Sequence, residues 1–327
     1  MKTKEQEKKI SNIFYFSRII AIFAVLMAHT PFHKSDNIVL VLLVDTFACL
    51  GVALFFFSAG YYFKAVGLKK RLVKLSSLLI PWILFGSLFY LVNALSNGFQ
   101  FASYLKWIIG WNSYLWFMTI YSLMILLFEG LSYFKMDKSK ERICLFLFLL
   151  MIICRVSMSI FNISGAVAYL NIFNWIGFFA IGKYIETKNV VWLFNKKGCL
   201  LRAGISLLVL LILLAVDIIL DSSISYFGYT AVFKQLCMIL LVVSIASTLD
   251  NLPKLIINIG KNTLPIYLLH IVPLQFSCGI VPINIAVYTI IAIAIGVVLF
   301  LVLFCGVKIA RKLKIEKLYE RVIGFKI

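Results

Sequence analysis

Two ionisable side chains, Arg18 and His29, lie eleven residues apart in the first long apolar run of the sequence. An arginine keeps its charge at physiological pH, so an arginine inside an apolar run needs a partner or an aqueous cavity. At roughly 100° per residue, eleven residues turn a helix about 20° past three full turns, and they advance it by about 16 Å. The spacing therefore predicts that an anion-binding group and a titratable group share one face of a helix, near its two ends.

A second group of cations follows the next apolar run and includes Arg71 and Lys74. Together with Arg18, these side chains are suited to binding a polyanion. The alternative is that the loop cations only orient the chain in a membrane and that Arg18 belongs to a structural ion pair. His29 is suited to general base catalysis, because an imidazole accepts a proton near neutral pH. A lone helical histidine is more often a packing residue, and it is the alignment with Arg18 that favours chemistry here.

Further polar residues accompany His29. The segment 33–36 contains a histidine, a lysine and an aspartate, and Asp45 and Asp217 lie inside later apolar runs. Either aspartate is a candidate to orient an imidazole.

The composition is typical of a protein that crosses a membrane several times. Of 327 residues, 63% are hydrophobic and 14% charged, and the mean hydropathy is +1.02. No polar stretch is long enough to fold separately, so we predict one integral-membrane domain over residues 1–327. The net charge of +19 resides in short loops between apolar runs, which indicates a lipid bilayer as partner and no nucleic acid. The cysteines lack C-x-x-C or metal-ligand spacing, so no metal site or disulfide is expected.

Ten apolar runs are each close to the length of about 20 residues that a transmembrane helix needs. We predict an all-α protein with about ten transmembrane helices, at residues 13–32, 38–63, 76–95, 113–133, 143–161, 165–185, 201–220, 226–249, 264–281 and 283–307. The first run resembles a signal peptide in its basic start, but it is too long and contains Arg18, so we interpret it as a retained helix. The amphipathic stretch 99–112 contains two tryptophans and is suited to the membrane interface.

Lysines and arginines concentrate at both termini and in every second connection between these runs. The opposite connections hold little beyond Lys34, Lys106 and Lys234. The positive-inside rule then predicts that both termini are cytoplasmic. Arg18 would lie toward the cytoplasmic side, and His29 toward the outer side.

Five short motifs occur in order along the chain. They are Arg18-x10-His29, G-V-A-L-F-F-F-S-A-G at 51–60, Arg71-Leu-Val-Lys74 ahead of Pro81, Leu115-Trp-Phe117, and G-K-N-T-L-P-I-Y-L-L-H at 260–270. Together they resemble the signature of the acyltransferase-3 family of membrane acyltransferases, and the last resembles its sugar O-acetylase branch. The family's basic motif ends in arginine where this chain has Lys74, so a bidentate phosphate contact becomes a point charge.

The resemblance implies a co-substrate and no permanently bound cofactor. The co-substrate would be an acyl-CoA, usually acetyl-CoA, whose phosphates Arg18, Arg71 and Lys74 would bind from the cytosol. The acceptor would be the hydroxyl of a surface or lipid-linked carbohydrate at the outer face of a bacterial plasma (inner) membrane.

The expected chemistry assigns roles to five further residues. His29 would act as the general base, and the family motif makes His270 a second catalytic candidate. The hydroxyls of Ser58 and Tyr267 are candidates to stabilise an oxyanion. Trp116 would stack on a sugar ring or serve as an interface tryptophan.

Three alternatives remain open at this stage. An acyl-enzyme formed on a histidine or serine could replace direct transfer. The protein could instead export a saccharide or small molecule, with Arg18 and His29 as a gated relay. It could also be a non-catalytic partner of a polysaccharide synthase, which would leave the alignment of Arg18 with His29 unexplained.

The charge distribution makes a prediction about topology. A cysteine replacing Lys34 should react with an impermeant maleimide added to intact cells, whereas one replacing Lys138 should react only after the membrane is opened. Wild-type protein labelled in parallel measures the background from native cysteines. The opposite labelling pattern would reverse the orientation and the placement of both substrates.

Overall fold

A computed structural model describes residues 3–35, 37–133, 140–219 and 226–325. Helices are the regular secondary structure of these residues, and no strand occurs among them. The all-α prediction is confirmed. The helices are α1 (Lys4–Ala28), α2 (Ile38–Ala48), α3 (Leu50–Tyr62), α4 (Leu68–Asn97), α5 (Phe101–Ile109), α6 (Trp116–Tyr133), α7 (Lys140–Ile160), α8 (Gly165–Leu170), α9 (Ile176–Thr187), α10 (Cys199–Ile219), α11 (Ala231–Ala246), α12 (Lys254–Lys261), α13 (Thr263–Leu269), α14 (Ile271–Gly279), α15 (Ile285–Lys312) and α16 (Glu316–Ile323).

Within the described residues, seven helical segments are long and apolar enough to cross a membrane. They are α1, α2 with α3, α4, α6, α7, α10 and α15. The protein is therefore a multi-pass membrane protein. The other three predicted runs consist of shorter helices: α8 with α9, α11, and α13 with α14. The total of ten spans stays a prediction.

Local chemistry explains why three predicted helices are interrupted. At the junction of α2 and α3, the carbonyl oxygen of Cys49 accepts a hydrogen bond from the side chain of Gln235 at 3.1 Å. Between α13 and α14, Pro273 has no N–H to donate to the carbonyl of Leu269. Between α8 and α9, the side chain of Asn174 bonds to the backbone of the preceding helix. Side chains therefore bond the backbone carbonyls at two of these interruptions, and a missing backbone donor accounts for the other.

The centre of the bundle is formed by α1, α3 and α9, which approach closely at glycines. A Cβ atom on Gly60 would lie 1.9 Å from the carbonyl oxygen of Phe179, and one on Gly182 would lie 2.1 Å from that of Phe57. On the other side of α3, a Cβ on Gly51 would lie 2.7 Å from a backbone oxygen of α1. Small residues allow such backbone contact between membrane helices. This packing fixes the height of α3 against α1.

The two ends of the bundle differ in character. At one end, Asp250 pairs with Lys196 at 2.9 Å and with Lys9 at 3.7 Å, among the basic connections. At the other end, the C-terminal end of α1 and the connection after it border a large cavity. The orientation of these ends in the membrane, and both termini's cytoplasmic location, stay predictions. Lys138 lies outside the described residues.

The helix contact at Gly60 generates a stability prediction. Gly60→Ala places a methyl group against a backbone carbonyl that no rotamer change can move away, so α3 and α9 must separate. We expect a loss of roughly 1–3 kcal/mol, the usual cost of overpacking. Thermal unfolding of detergent-purified protein, followed by size-exclusion chromatography, measures it.

The matched control is Gly204→Ala on α10, where a Cβ meets open space. This variant should be neutral or slightly stabilised, by at most about 1 kcal/mol, because alanine is the better helix former. Equal stability of the two variants would contradict the close packing of α3 and α9.

Candidate active site

A cavity of about 1010 Å³ opens at the end of the bundle opposite the basic connections. Its wall combines ionisable side chains with aromatic rings. The ionisable lining residues, apart from tyrosines, are His29, His33 and Asp45. The aromatic lining residues are Phe32, Phe89, Trp107, Tyr114, Trp116, Phe117, Tyr169, Tyr226, Phe227 and Tyr267. A cavity of this size and lining is suited to an amphipathic ligand of several rings.

The two histidines predicted to be catalytic lie next to each other. His29 ends α1 and lines the cavity. His270 lies at the junction of α13 and α14, is fully buried, and has its ring centroid 5.0 Å from that of His29. The Nδ1 atom of His270 is 2.5 Å from the carbonyl oxygen of Tyr267. Because a carbonyl only accepts, Nδ1 is assigned the proton, and in the neutral imidazole Nε2 then holds a lone pair. In the described part of the chain, Nε2 has no hydrogen-bond partner.

Two tyrosines fix the position of His270. The hydroxyl of Tyr267 donates to the carbonyl oxygen of Tyr114, and the hydroxyl of Tyr114 donates to that of Leu268 at 2.8 Å. This reciprocal pair ties α13 to the residues just before α6. The proton of the Tyr267 hydroxyl is therefore engaged, and the oxyanion role predicted for Tyr267 would require this bond to break. Both rings remain part of the cavity wall.

Trp116, predicted to stack on a sugar, is the first residue of α6 and lies in the cavity wall. Its ring stacks on Trp175 with centroids 4.7 Å apart, and it lies 4.9 Å from the ring of Tyr169. These contacts hold its orientation. The residue thus forms part of a rigid aromatic wall in the cavity.

Arg18 lies on α1 between the cavity and the basic end. Its Nε atom donates to the hydroxyl of Ser58 at 3.1 Å, and its guanidinium carbon is 5.7 Å from the ring centroid of Tyr62. Among the described residues, no carboxylate forms an ion pair with it. The structural ion pair considered from the sequence is therefore absent from this part of the chain. Ser58 lies with Arg18 and does not line the cavity that contains His29.

Arg71 and Lys74 have different surroundings from Arg18. Arg71 donates to the buried carboxylate of Glu129 at 2.8 Å and to the carbonyl of Lys64 at 2.6 Å. Lys74 is exposed on α4. Of the three predicted phosphate ligands, Arg18 has no ion-pair partner among the described residues, Arg71 is paired with Glu129, and Lys74 is exposed.

Comparison with known proteins adds one finding to this geometry. A family model described as an acyltransferase domain matches residues 16–307. The chain belongs to the acyltransferase-3 family. The match includes all eight predicted site residues of this acyltransferase, from Arg18 to His270. Neither the curated proteins nor the solved structures give a significant match.

The sequence analysis missed two residues that shape this acyltransferase. Glu129 accepts hydrogen bonds from the backbone N–H groups of Val66 and Gly67 as well as from Arg71. Arg155 is fully buried beside the cavity and donates to the carbonyl of Tyr226 at 2.8 Å. Both could have been found, because each is an ionisable residue in an apolar run.

The neighbours of Arg155 explain how a charge is tolerated there. Its other two donors bond to the carbonyl of Asn174 at 2.9 Å and to the side chain of Gln235 at 3.0 Å. Its guanidinium carbon lies 4.6 Å from the ring centroid of Trp175. Arg155 thereby joins α7, α11 and the turn before α9 around the aromatic wall.

Proposed function

We propose that the protein is an O-acyltransferase of a bacterial plasma membrane. It transfers an acyl group, acetyl in the first instance, from cytosolic acyl-CoA to a hydroxyl of a surface or lipid-linked carbohydrate at the outer face. The observation that carries the proposal is the pair of adjacent histidines, His29 and His270, at an aromatic-lined cavity. His29 ends the helix that also contains Arg18, which has no ion-pair partner among the described residues. The acceptor enters the cavity, and the donor approaches from the basic end.

The donor site is centred on Arg18. Its single hydrogen bond in the described chain, to a hydroxyl, leaves most of the guanidinium donors for phosphate oxygens. Arg71 and Lys74 contribute at the entrance. Arg71 does so from a fixed position, since Glu129 holds it against the connection between α3 and α4. About 16 Å of helix separates Arg18 from His29, and the pantetheine arm of acyl-CoA spans this interval along α1.

The proposed chemistry is a direct transfer. His29 removes the proton from the acceptor hydroxyl as its oxygen attacks the thioester carbonyl. The new C–O ester bond forms, the C–S bond breaks, and the departing thiolate takes the proton from the imidazolium. His270 supports this cycle, because the lone pair on its Nε2 can accept a hydrogen bond from a protonated His29.

Turnover separates this function from its alternatives. Purified protein should cleave the thioester of acetyl-CoA and acetylate a member of a glycan panel. An exporter or a non-catalytic synthase partner would do neither. An acyl-enzyme route would leave acetylated protein after incubation with acetyl-CoA alone.

Arg18→Ala should weaken CoA binding. The substitution removes a charge-assisted contact of about 1.5–3 kcal/mol, which corresponds to a loss of affinity of roughly ten- to a hundred-fold. Arg18→Lys should restore only part of it, because the fork of donors is lost. Equilibrium binding of CoA to detergent-purified protein measures the effect.

The control for Arg18 is Arg311→Ala, an exposed arginine at the C-terminal end of α15. Its CoA affinity should equal that of wild type. An Arg18→Ala protein that folds normally and binds CoA as wild type does would remove the polyanion site from this proposal.

His29→Ala should separate chemistry from donor binding. The side chain lies far from Arg18, so CoA affinity should be unchanged, while acyl transfer should slow by roughly 10²–10⁴-fold, the usual contribution of a general base. Single-turnover rates and CoA binding on the same preparation measure both quantities.

His33→Ala and His270→Ala are the comparison variants. His33 is exposed at the mouth of the cavity, whereas His270 contacts His29. Near wild-type activity in a folded His29→Ala protein would exclude His29 as the base. If the acidic limb of the pH–rate profile persists in that variant, one of the other two histidines is responsible.

A further inference from the structure

Asp45 is a buried carboxylate that the proposed chemistry does not use. It lies on α2, one turn before the junction at Cys49, lines the cavity, and is only 6% exposed. In the described part of the chain, its one hydrogen-bond donor is the thiol of Cys49, 3.8 Å from Oδ2. A thiol is a weak donor. The carboxylate therefore has unused acceptor capacity that faces the cavity.

Asp217, which is also buried, has the strong hydrogen-bond donors that Asp45 lacks. Asp217 accepts hydrogen bonds from Lys234 and from the hydroxyl of Thr230, both at 2.5 Å. Asp45 is influenced electrostatically by Lys234, His33 and Asp217, but none of the described cations lies within ion-pair distance of it. The described residues that line the cavity include no lysine or arginine.

A buried carboxylate without strong donors is unfavourable unless something else supplies them. A ligand in this cavity can supply the missing donors. Hydroxyl groups fit this requirement, because an ionised carboxylate accepts hydrogen bonds at two oxygens and can bind two neighbouring hydroxyls at once.

Aromatic rings surround the same position. Tyr169 and Tyr226 line the same cavity as Asp45. The ring of Tyr169 in turn lies 4.9 Å from that of Trp116. Aromatic side chains present a flat apolar face with a polar tip. A face of this kind covers the C–H side of a sugar ring, while a carboxylate at its edge binds the hydroxyls.

Building on the proposed function, we propose that Asp45 anchors the acceptor by accepting hydrogen bonds from two hydroxyls of a neutral sugar ring. The ring lies against Trp116 and Tyr169, and another hydroxyl of the glycan reaches His29 across the cavity. A sugar with a carboxylate in place of one of these hydroxyls is repelled by the negative charge of Asp45. The acceptor is therefore a neutral hexose-type residue rather than a uronic acid.

Binding without acyl-CoA tests this inference independently of turnover. The probes are methyl glycosides of glucose, galactose and mannose, each paired with its methyl uronoside, which differs only at C6. Affinity is measured on purified wild-type protein in a non-glycosidic detergent. At least one neutral glycoside should bind, and its uronoside should bind at least tenfold more weakly.

Asp45→Asn keeps the shape of the side chain and removes its charge. It should weaken binding of the neutral glycoside by about tenfold or more, and it should narrow or reverse the preference over the uronoside. Asp45→Glu keeps the charge one methylene further out, so it should also lose affinity for the neutral glycoside but still exclude the uronoside. Asp250→Asn, at the opposite end of the bundle, is the matched control and should bind as wild type does.

Two results would overturn the inference. One is equal glycoside affinity in wild-type and Asp45→Asn proteins. The other is an Asp45→Asn protein that is slowed at saturating acceptor while its glycoside affinity is unchanged, which would assign Asp45 to the positioning of a catalytic histidine. Acyl transfer is assayed separately and tests the proposed function. If the protein prefers the neutral glycoside over its uronoside but shows no turnover, the acyltransferase mechanism is refuted and Asp45 remains a glycan ligand.

Discussion

A charged side chain inside an apolar helical bundle needs a partner, and this constraint organises the whole structure. Arg155 is satisfied by three acceptors, Arg71 by Glu129, and Lys234 by Asp217. These groups join helices that are distant in sequence. They are best understood as parts of the scaffold, because removing one partner would leave a buried charge uncompensated.

Arg18, Asp45 and His270 are ionisable residues that have fewer or weaker partners than these. Within the described residues, the guanidinium of Arg18 has one hydroxyl acceptor, Asp45 has one thiol donor, and Nε2 of His270 has no partner. Arg18 lies toward the basic end, and the other two lie at or beside the cavity. The unused hydrogen-bonding capacity of these ionisable groups is available to a ligand. Their separation along the bundle agrees with two substrates that approach from opposite ends.

Interrupted helices give the cavity its chemistry. The break at Cys49 ends α2 just after Asp45, and the break before Pro273 places His270 at the junction of α13 and α14. A continuous helix at either point would have directed its backbone groups along its own axis and not toward Gln235 or the site. The glycine contacts of α3 with α1 and α9 then hold these elements at a fixed height.

The sequence alone was sufficient for the helical class, the multi-pass membrane class and the positions of Arg18 and His29 along α1. These follow from apolar runs and from the 3.6-residue period, which are properties of neighbouring residues. The family resemblance also supplied His270, but not its contact with His29. Hydropathy did not reveal the interruptions near Cys49 and within 165–185, since the residues there are as apolar as those of an intact helix.

Only the tertiary structure decided which charges are paired. Glu129 lies 58 residues from Arg71 along the chain, and nothing in the local sequence of either indicates the other. Asp45 and Asp217 have similar sequence surroundings, because each is an aspartate within an apolar run. Asp45 nevertheless faces a cavity, whereas Asp217 binds Lys234. The reason is physical: hydropathy and helical period depend on residues within a few turns, whereas the partner of a buried charge is set by how whole helices pack.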